Sequence, residues 1–201
     1  MTWSGRVERE GLLDEVRIED ADLSGVDASG ARWLDVTVVG GTLDDAVLDR
    51  ADLSDVGIDG AHATALSARD GSWRDVLVTG ARIGALVAHG VRWDRVTLRG
   101  CRLGFVNLRD SRLDGLRLEG CTVDDLDLAG ATAKRLAFVD CRVRRLELSR
   151  ATLTSADLTG LDLGALERLD GVAGLRGATV RAADLAALAP LLAAELGIRL
   201  A

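Results

Sequence analysis

A five-residue repeat constrains the fold of this 201-residue chain more than any other feature of its sequence. From Leu13 to Leu163 every fifth residue is apolar, which makes 31 positions, and the residue two places before each is small or aliphatic except Ser111. None of these 62 positions is charged, although 28% of the chain is, and chance would place about 17 charges there. Composition therefore does not explain the repeat.

A period of five fits neither a long helix nor a straight strand. An α-helix turns about 100° per residue, so a five-residue stripe would wander around its surface. In a strand, residues two apart share a face but residues three apart do not. The chain must therefore turn a corner every five residues, and Gly, Asp, Ser and Arg fill most of the positions between the apolar pairs.

Two residue types mark a longer period of twenty. The cysteines and the tryptophans of the repeat recur at multiples of twenty residues: Cys101, Cys121 and Cys141, and Trp33, Trp73 and Trp93. Five residues before each of these tryptophans the apolar position holds an alanine, at Ala28, Ala68 and Ala88. Because a close-packed interior needs a small residue beside a large one, four five-residue units are predicted to form one coil.

The segments ADLSG (21–25), ADLSD (51–55) and ADLTG (156–160) resemble the A(D/N)Lxx unit of the pentapeptide-repeat proteins. The resemblance covers about residues 11–165. It implies a mainly β fold, a right-handed quadrilateral β-helix of nearly eight coils with four pentapeptides in each. At about 4.8 Å per coil, the rod would be roughly 37 Å long.

Three segments follow from the repeat: an N-terminal cap (1–10), the β-helix (11–165) and a C-terminal segment (166–201). Caps are expected because a bare terminal coil would expose strand edges and apolar lumen. Two short helices are predicted near 182–189 and 190–196, with Gly197 at the end. The apolar stripe of these helices consists of Leu185, Leu188, Leu192 and Leu196. It either closes the last coil or, as the resemblance implies, pairs two rods into a homodimer.

The sequence predicts no catalytic residue, no metal site and no cofactor. Stacked cysteines lie about 4.8 Å apart in neighbouring coils, so three of them cannot converge on one tetrahedral metal ion. His62 and His89 fall on outward positions without a ligand partner, and no phosphate-binding or hydrolase motif occurs. The chain is predicted not to be an enzyme; the alternative requires a pocket near the C-terminal cap.

The termini and the cysteines favour a cytoplasmic protein that binds no membrane. The first residues contain no apolar signal segment, and the longest later apolar run, 185–194, is too short to cross a bilayer. Three cysteines without CxxC spacing suit a reducing compartment.

Charge is distributed unevenly along the chain, whose net charge is −7. Residues 1–60 carry 15 acids and 5 bases, whereas residues 61–120 carry 6 acids and 10 bases. Arg82 lies above Arg102, and Arg92 above Arg112, if one coil is twenty residues. Because exposed aromatic residues do not alternate with these arginines, direct nucleic-acid binding is not predicted.

The acidic end is the candidate surface for a protein partner. Over about three coils its net negative charge reaches roughly 0.7 elementary charges per Å of rod. This density is close to that of duplex DNA, which carries one charge per about 1.7 Å. The family that the sequence resembles includes proteins that protect DNA gyrase from quinolones by resembling DNA. This resemblance makes gyrase the specific candidate partner. The alternative is a scaffold without any topoisomerase partner. The candidate acidic residues are Asp14, Glu15, Asp20, Asp22, Asp27, Asp35, Asp44, Asp45, Asp49, Asp52, Asp55 and Asp59.

Overall fold

A computed structural model describes residues 7–198 of the chain. Over these residues the chain forms short parallel strands followed by helical turns at the C-terminal end. The strands of the first four coils are β1 (Leu12–Asp14), β2 (Arg17–Glu19), β3 (Arg32–Leu34), β4 (Thr37–Val39), β5 (Ala46–Val47), β6 (Asp52–Asp59), β7 (His62–Ser67), β8 (Ser72–Thr79) and β9 (Arg82–Val87).

The strands that follow continue the same pattern. They are β10 (Arg92–Arg99), β11 (Arg102–Asn107), β12 (Arg112–Asp114), β13 (Arg117–Glu119), β14 (Thr122–Asp127), β15 (Thr132–Lys134), β16 (Ala137–Val139), β17 (Arg142–Glu147), β18 (Thr152–Thr154), β19 (Ala156–Asp157), β20 (Arg168–Asp170) and β21 (Ala178–Thr179). Three 3-10 helices, Leu163–Ala165, Val172–Leu175 and Ala182–Asp184, precede the α-helix α1 (Leu185–Glu195).

Strand pairing gives the size of the coil directly. Within the repeat every parallel pair joins residues twenty apart: Trp73 pairs with Trp93, and Leu103 with Val123. Backbone hydrogen bonds join the same adjacent coils, as where the Thr122 amide donates to the Cys101 carbonyl at 3.0 Å. Four pentapeptides therefore form each coil. Coil 1 covers residues 11–30 and each later coil the next twenty.

The coils have four sides, which belong to two sheets. A 14-stranded sheet covers sides 1 and 2, and a 7-stranded sheet covers sides 3 and 4. Each side is named by its inward file of residues at intervals of twenty, which begins at Leu13 for side 1, Ile18 for side 2, Leu23 for side 3 and Ala28 for side 4.

The inward files fill a dry lumen. The three repeat tryptophans are 1–2% exposed, and the alanines that precede them are fully buried. Trp73 stacks on Trp93 with ring centroids 4.9 Å apart and an angle of 17° between the ring planes. Among the described residues, the indole N–H groups of the three buried tryptophans have no hydrogen-bond partner. Packing rather than hydrogen bonding therefore holds these rings.

The corners need unusual backbone angles. Between sides 1 and 2, Glu15, Asp35 and Asp55 have φ values of 52°, 50° and 56°, in the left-handed region that Asp visits more readily than most residues. Between sides 3 and 4 the corner residues of coils 1 and 2, Gly25 and Asp45, also have positive φ, whereas on later coils six-residue strands such as β9 and β11 bend at Ala85 and Phe105 without it. The rod thus has two kinds of corner.

The repeat ends at Leu163. The 3-10 helix that begins there inserts extra residues, so Arg145 pairs with Arg168, 23 residues later rather than twenty. The last regular coil is then covered by helical turns. Of the predicted N-terminal cap, residues 1–6 lie outside the described part, whereas the Glu10 amide donates to the Ser29 carbonyl at 2.9 Å.

The prediction of two separate C-terminal helices is wrong. A single α-helix runs from Leu185 to Glu195 and contains Pro190 in its interior. Proline removes one backbone donor, and the rest of the helix keeps its hydrogen bonds and its packing on the coil. Gly197 has φ 69° just after the helix, as expected for a C-terminal glycine.

These observations confirm the predicted fold class, a mainly β quadrilateral β-helix with a short C-terminal helix. Among residues 7–198, no helix combines the length and apolarity needed to span a membrane.

Replacing Trp73 by Ala should lower the free energy of unfolding by about 3–5 kcal/mol, because it opens a cavity in the lumen and removes the stack on Trp93. Leu77→Ala is the matched control, since Leu77 lies on the same strand but is 38% exposed, and should change stability by about 0.5 kcal/mol or less. Urea unfolding measures both. Equal losses would contradict a close-packed lumen.

Candidate interaction surface

The outward residues of the repeat stand in columns along the rod. Residues twenty apart are neighbours on adjacent coils, about 4.8 Å apart, because parallel strands hold them in register. The predicted stacking of Arg82 on Arg102, and of Arg92 on Arg112, is confirmed by this pairing.

The twelve candidate acids lie on all four sides of the rod. Asp14 and Asp52 are on side 1, Asp59 is on side 2, Asp22 and Asp44 are on side 3, and Asp27 and Asp49 are on side 4. The remaining five lie at corners. The structure does not bring the twelve together into one patch.

One corner does collect acids into a column. Glu15, Asp35 and Asp55 follow one another on coils 1, 2 and 3 at the corner between sides 1 and 2, and all three are exposed. No salt bridge within residues 7–198 involves any of them. We call this column the acidic ridge.

Asp75 continues the acidic ridge on coil 4 but is neutralised. Its carboxylate accepts hydrogen bonds from Nε and Nη2 of Arg95 at 2.6 and 2.7 Å, and these bonds hold the pKa of Asp75 below its usual value. Sequence reasoning missed Asp75 because it considered the first sixty residues as a block. Counting in steps of twenty from Asp55 would have found it.

Several of the other candidate acids are already engaged within the chain. Asp27 pairs with Arg9 at 3.2 Å. Asp22 accepts hydrogen bonds from the Ser24 amide at 3.0 Å and the Thr42 hydroxyl at 2.9 Å, and the bonds with Ser24 contribute most to lowering its pKa. These carboxylates stabilise turns and neighbouring coils, so fewer remain free for a partner.

Asp49 is the most embedded of the twelve. It is 7% exposed and receives bonds from the Arg69 side chain and amide and from the Ser67 hydroxyl, at 2.6–2.9 Å. Burial alone would raise the pKa of Asp49, but the hydrogen bonds from Arg69 and Ser67 outweigh it and lower the pKa. The role of Asp49 is therefore to join coils 2 and 3.

The basic middle of the rod divides into paired and free arginines. Ion pairs between adjacent coils neutralise Arg99 with Glu119 at 2.7 Å and Arg145 with Asp125 at 3.0 Å. On sides 1 and 3, seven cations have no ion-pair partner among the described residues: Arg32, Arg74, Arg82, Arg92, Arg102, Arg112 and Lys134. Sequence counts alone could not separate the two groups.

The four C-terminal leucines differ in burial. Leu188 is 3% exposed and belongs to the core, and Leu192 is half-buried against it. Leu185 and Leu196 are 55% and 65% exposed. The Glu195 carboxylate accepts a hydrogen bond from the Gly171 amide at 2.9 Å, which ties the helix to the preceding turn.

The three cysteines stack in one buried file. The Cys121 amide donates to Sγ of Cys141 at 3.4 Å, and each thiol donates to a backbone carbonyl at 3.2–3.5 Å. A hydrogen bond with Cys121 lowers the pKa of Cys101 to about 7, whereas for Cys141 the bond with Cys121 and burial raise the pKa. Within residues 7–198 no group of three His, Cys, Asp or Glu side chains could hold a metal ion.

Access rather than pKa should control thiol reactivity, because all three sulfur-bearing side chains are 1–2% exposed. We expect Ellman's reagent to label none of them in the folded chain and all three in denaturant. Thr122→Cys, an outward position beside Cys121, is the positive control and should react at once. Rapid labelling of the unmodified protein would contradict the buried file.

Asp49→Asn should lower the free energy of unfolding by about 1–3 kcal/mol at neutral pH, because Arg69 and Ser67 lose a charged acceptor that is largely buried. A carboxylate with a lowered folded-state pKa stabilises above its unfolded-state pKa of about 3.9, and this contribution disappears as pH falls through the folded value. The difference from the unmodified protein should therefore shrink below about pH 4. Asp59→Asn, exposed and unpaired within residues 7–198, should show no such difference at any pH.

Comparisons with known proteins find solved structures only. No protein-family model and no curated protein matches the chain. A trypsin-treated variant of QnrB1, a plasmid-mediated fluoroquinolone resistance protein, is 20% identical, with 98% of this chain and 93% of that chain covered and a TM-score of 0.35. Full-length QnrB1 is 18% identical, with 95% and 92% covered and a TM-score of 0.35.

HetL, a pentapeptide-repeat protein involved in heterocyst differentiation regulation from the cyanobacterium Nostoc sp. strain PCC 7120, is 20% identical. That comparison covers 76% of this chain and 89% of HetL with a TM-score of 0.33. The five-residue repeat, the twenty-residue coil and the filled four-sided lumen give this chain the sequence pattern and the architecture of a pentapeptide-repeat protein.

Proposed function

We propose that the chain is a non-enzymatic rod that presents a rigid pattern of charge to a macromolecular partner. The observation that carries the proposal is the acidic ridge of Glu15, Asp35 and Asp55, whose carboxylates are exposed and take no ion-pair partner within residues 7–198. A protein with a basic surface is the partner that such a column would attract.

Rigidity supports this use of the ridge. Each coil donates and accepts backbone hydrogen bonds with the coils beside it, as at Asp35, whose amide donates to the Ser54 carbonyl at 3.1 Å. The corner residues are therefore held at a spacing of about 4.8 Å. A partner that binds a preorganised surface loses less conformational entropy than one that must order a loop.

DNA gyrase is the specific candidate partner, because the pentapeptide-repeat family that the sequence resembles includes gyrase-protecting proteins. The acidic ridge carries one carboxylate per coil, about 4.8 Å, against one phosphate per 3.4 Å along a strand of duplex DNA. The ridge thus offers a column of charge somewhat less dense than one strand. The alternative is a scaffold whose partner is another protein with a basic surface.

A homodimer through the C-terminal segment is a separate proposal. Exposed Leu185 and Leu196, together with Ile198 at 56% exposure, place apolar side chains at this end of the rod. Replacing Leu185 and Leu196 by Ser would remove that contact, and sedimentation would show its loss.

The ridge is tested by a triple variant, Glu15→Gln, Asp35→Asn and Asp55→Asn, assayed for gyrase supercoiling and for protection from a quinolone. The matched control, Asp70→Asn, Asp110→Asn and Asp140→Asn, removes the same charge from corner residues with the same left-handed backbone. If gyrase is the partner, micromolar protein alters supercoiling or quinolone sensitivity, the ridge variant loses at least about tenfold in potency, and the control does not.

If the unmodified protein has no effect at micromolar concentration, the gyrase hypothesis is wrong and the scaffold hypothesis remains. The scaffold hypothesis is tested by using the protein, the ridge variant and the control as baits in the native host. A partner retained equally by all three baits would contradict the ridge as the binding surface.

A further inference from the structure

Side 1 carries a free cation on each of four consecutive coils. Arg74 lies on coil 4, Arg92 on coil 5, Arg112 on coil 6 and Lys134 on coil 7, and all four side chains are exposed. The paired strands β8, β10, β12 and β15 hold them in register on one side. None of the four makes an ion pair within residues 7–198. Their charge is therefore available to a partner.

These four cations surround a recess that is open to solvent. It has a volume of about 530 Å³, and Ser72 and Thr132 add hydroxyl-bearing side chains at its two ends. Trp73 and Trp93 contribute to its floor but are only 2% exposed, so the recess lies outside the packed lumen. We call it the basic recess.

Two acids lie among the cations, and other side chains neutralise them. Asp94 and Asp114 line the basic recess on coils 5 and 6. Asp94 pairs with Arg95 at 2.6 Å, and Asp114 pairs with Arg135 at 2.5 Å, both from the corner beside side 1. The basic recess therefore keeps a positive charge, although the net charge of the whole chain is −7.

The spacing of the cations fits an extended chain that lies along the rod. Arg74 and Lys134 are three coils apart, about 14 Å along the axis of the rod. Arg92 and Arg112 lie between them, so the midpoint of this pair is about 7 Å from either end. In an extended peptide, side chains two residues apart point the same way and are about 6.7 Å apart. Three carboxylates at alternate residues would therefore meet Arg74, the middle pair and Lys134 in turn.

The surroundings of the cations favour a peptide over a nucleic acid. Single-stranded nucleic acids stack their bases on aromatic side chains, and side 1 exposes none within residues 7–198, since Trp73 and Trp93 are buried. A phosphodiester also offers only hydrogen-bond acceptors, whereas a peptide backbone carries N–H donors for the carboxylate oxygens of Asp94 and Asp114. The acids within the basic recess thus suit a peptide and repel phosphates.

We propose that the basic recess binds an extended acidic segment of a partner protein, with aspartate or glutamate at three alternate positions. Arginine suits this role because its guanidinium group can donate two parallel hydrogen bonds to one carboxylate. The contact is short and exposed to solvent, so its affinity is modest and falls as the salt concentration rises. The basic recess lies on coils 4–7 and the acidic ridge on coils 1–3, so this proposal does not depend on the proposed function.

Fluorescence anisotropy with the full chain and a short peptide tests the proposal. The probe is the peptide GESESEG, labelled with an uncharged dye, in about 20 mM salt, where screening is weak. We expect saturable binding with a dissociation constant below about 1 mM. The isomer GEEESSG has the same composition but adjacent glutamates, and it should bind at least about threefold more weakly because its carboxylates cannot all face the basic recess.

Paired substitutions assign the binding to side 1. Arg92→Gln with Arg112→Gln removes the middle pair of cations and should raise the dissociation constant at least about tenfold. The matched control, Arg82→Gln with Arg102→Gln, removes two stacked, exposed and unpaired arginines from side 3 and should change it less than about twofold. Arg92→Lys with Arg112→Lys keeps the charge and should retain most of the affinity, which separates loss of charge from misfolding.

Three results would overturn the proposal. The first is no binding of GESESEG at about 500 µM protein in the low-salt buffer. The second is an equal loss of affinity in the two glutamine variants, which would assign binding to overall charge. The third is tighter binding of an oligo(dT) strand that the glutamine substitutions in the basic recess abolish, which would assign the basic recess to nucleic acid. Equal binding of the two peptides would contradict the alternate spacing.

Discussion

The structure depends on the parallel backbone ladder that repeats every twenty residues. Each coil hydrogen-bonds the next through amides and carbonyls such as those of Thr122 and Cys101, and this is possible only if the chain turns four corners in every coil. The ladder positions two inward residues per side, and their burial stabilises the coil. A charged residue at an inward position would break both the packing and the turn, which explains why the repeat excludes charge.

The same ladder organises the surface. Any outward residue stands about 4.8 Å from its counterpart twenty residues away, so chemistry is arranged in columns rather than patches. Opposite charges on adjacent coils of one column neutralise each other, as Arg145 and Asp125 do, and join those coils. Where a column lacks such partners, as at Glu15, Asp35 and Asp55, charge remains available. Interaction surfaces of this protein are therefore the columns left unpaired.

The sequence by itself determined the coil, because a five-residue period of apolar residues has few backbone solutions, and cysteines and tryptophans at multiples of twenty give its circumference. It also located the stacked arginines, such as Arg92 and Arg112, and the buried thiols. Only the tertiary structure decided which acids are free: Asp49 is embedded beneath Arg69, whereas Asp35 is exposed. It likewise showed one helix through Pro190 where local propensity predicts a break. Ion pairing depends on which side chains meet between coils, so the local sequence does not reveal which acids are free. The helix continues through Pro190 because packing on a coil offsets the lost helical hydrogen bond, and local sequence does not reveal that packing.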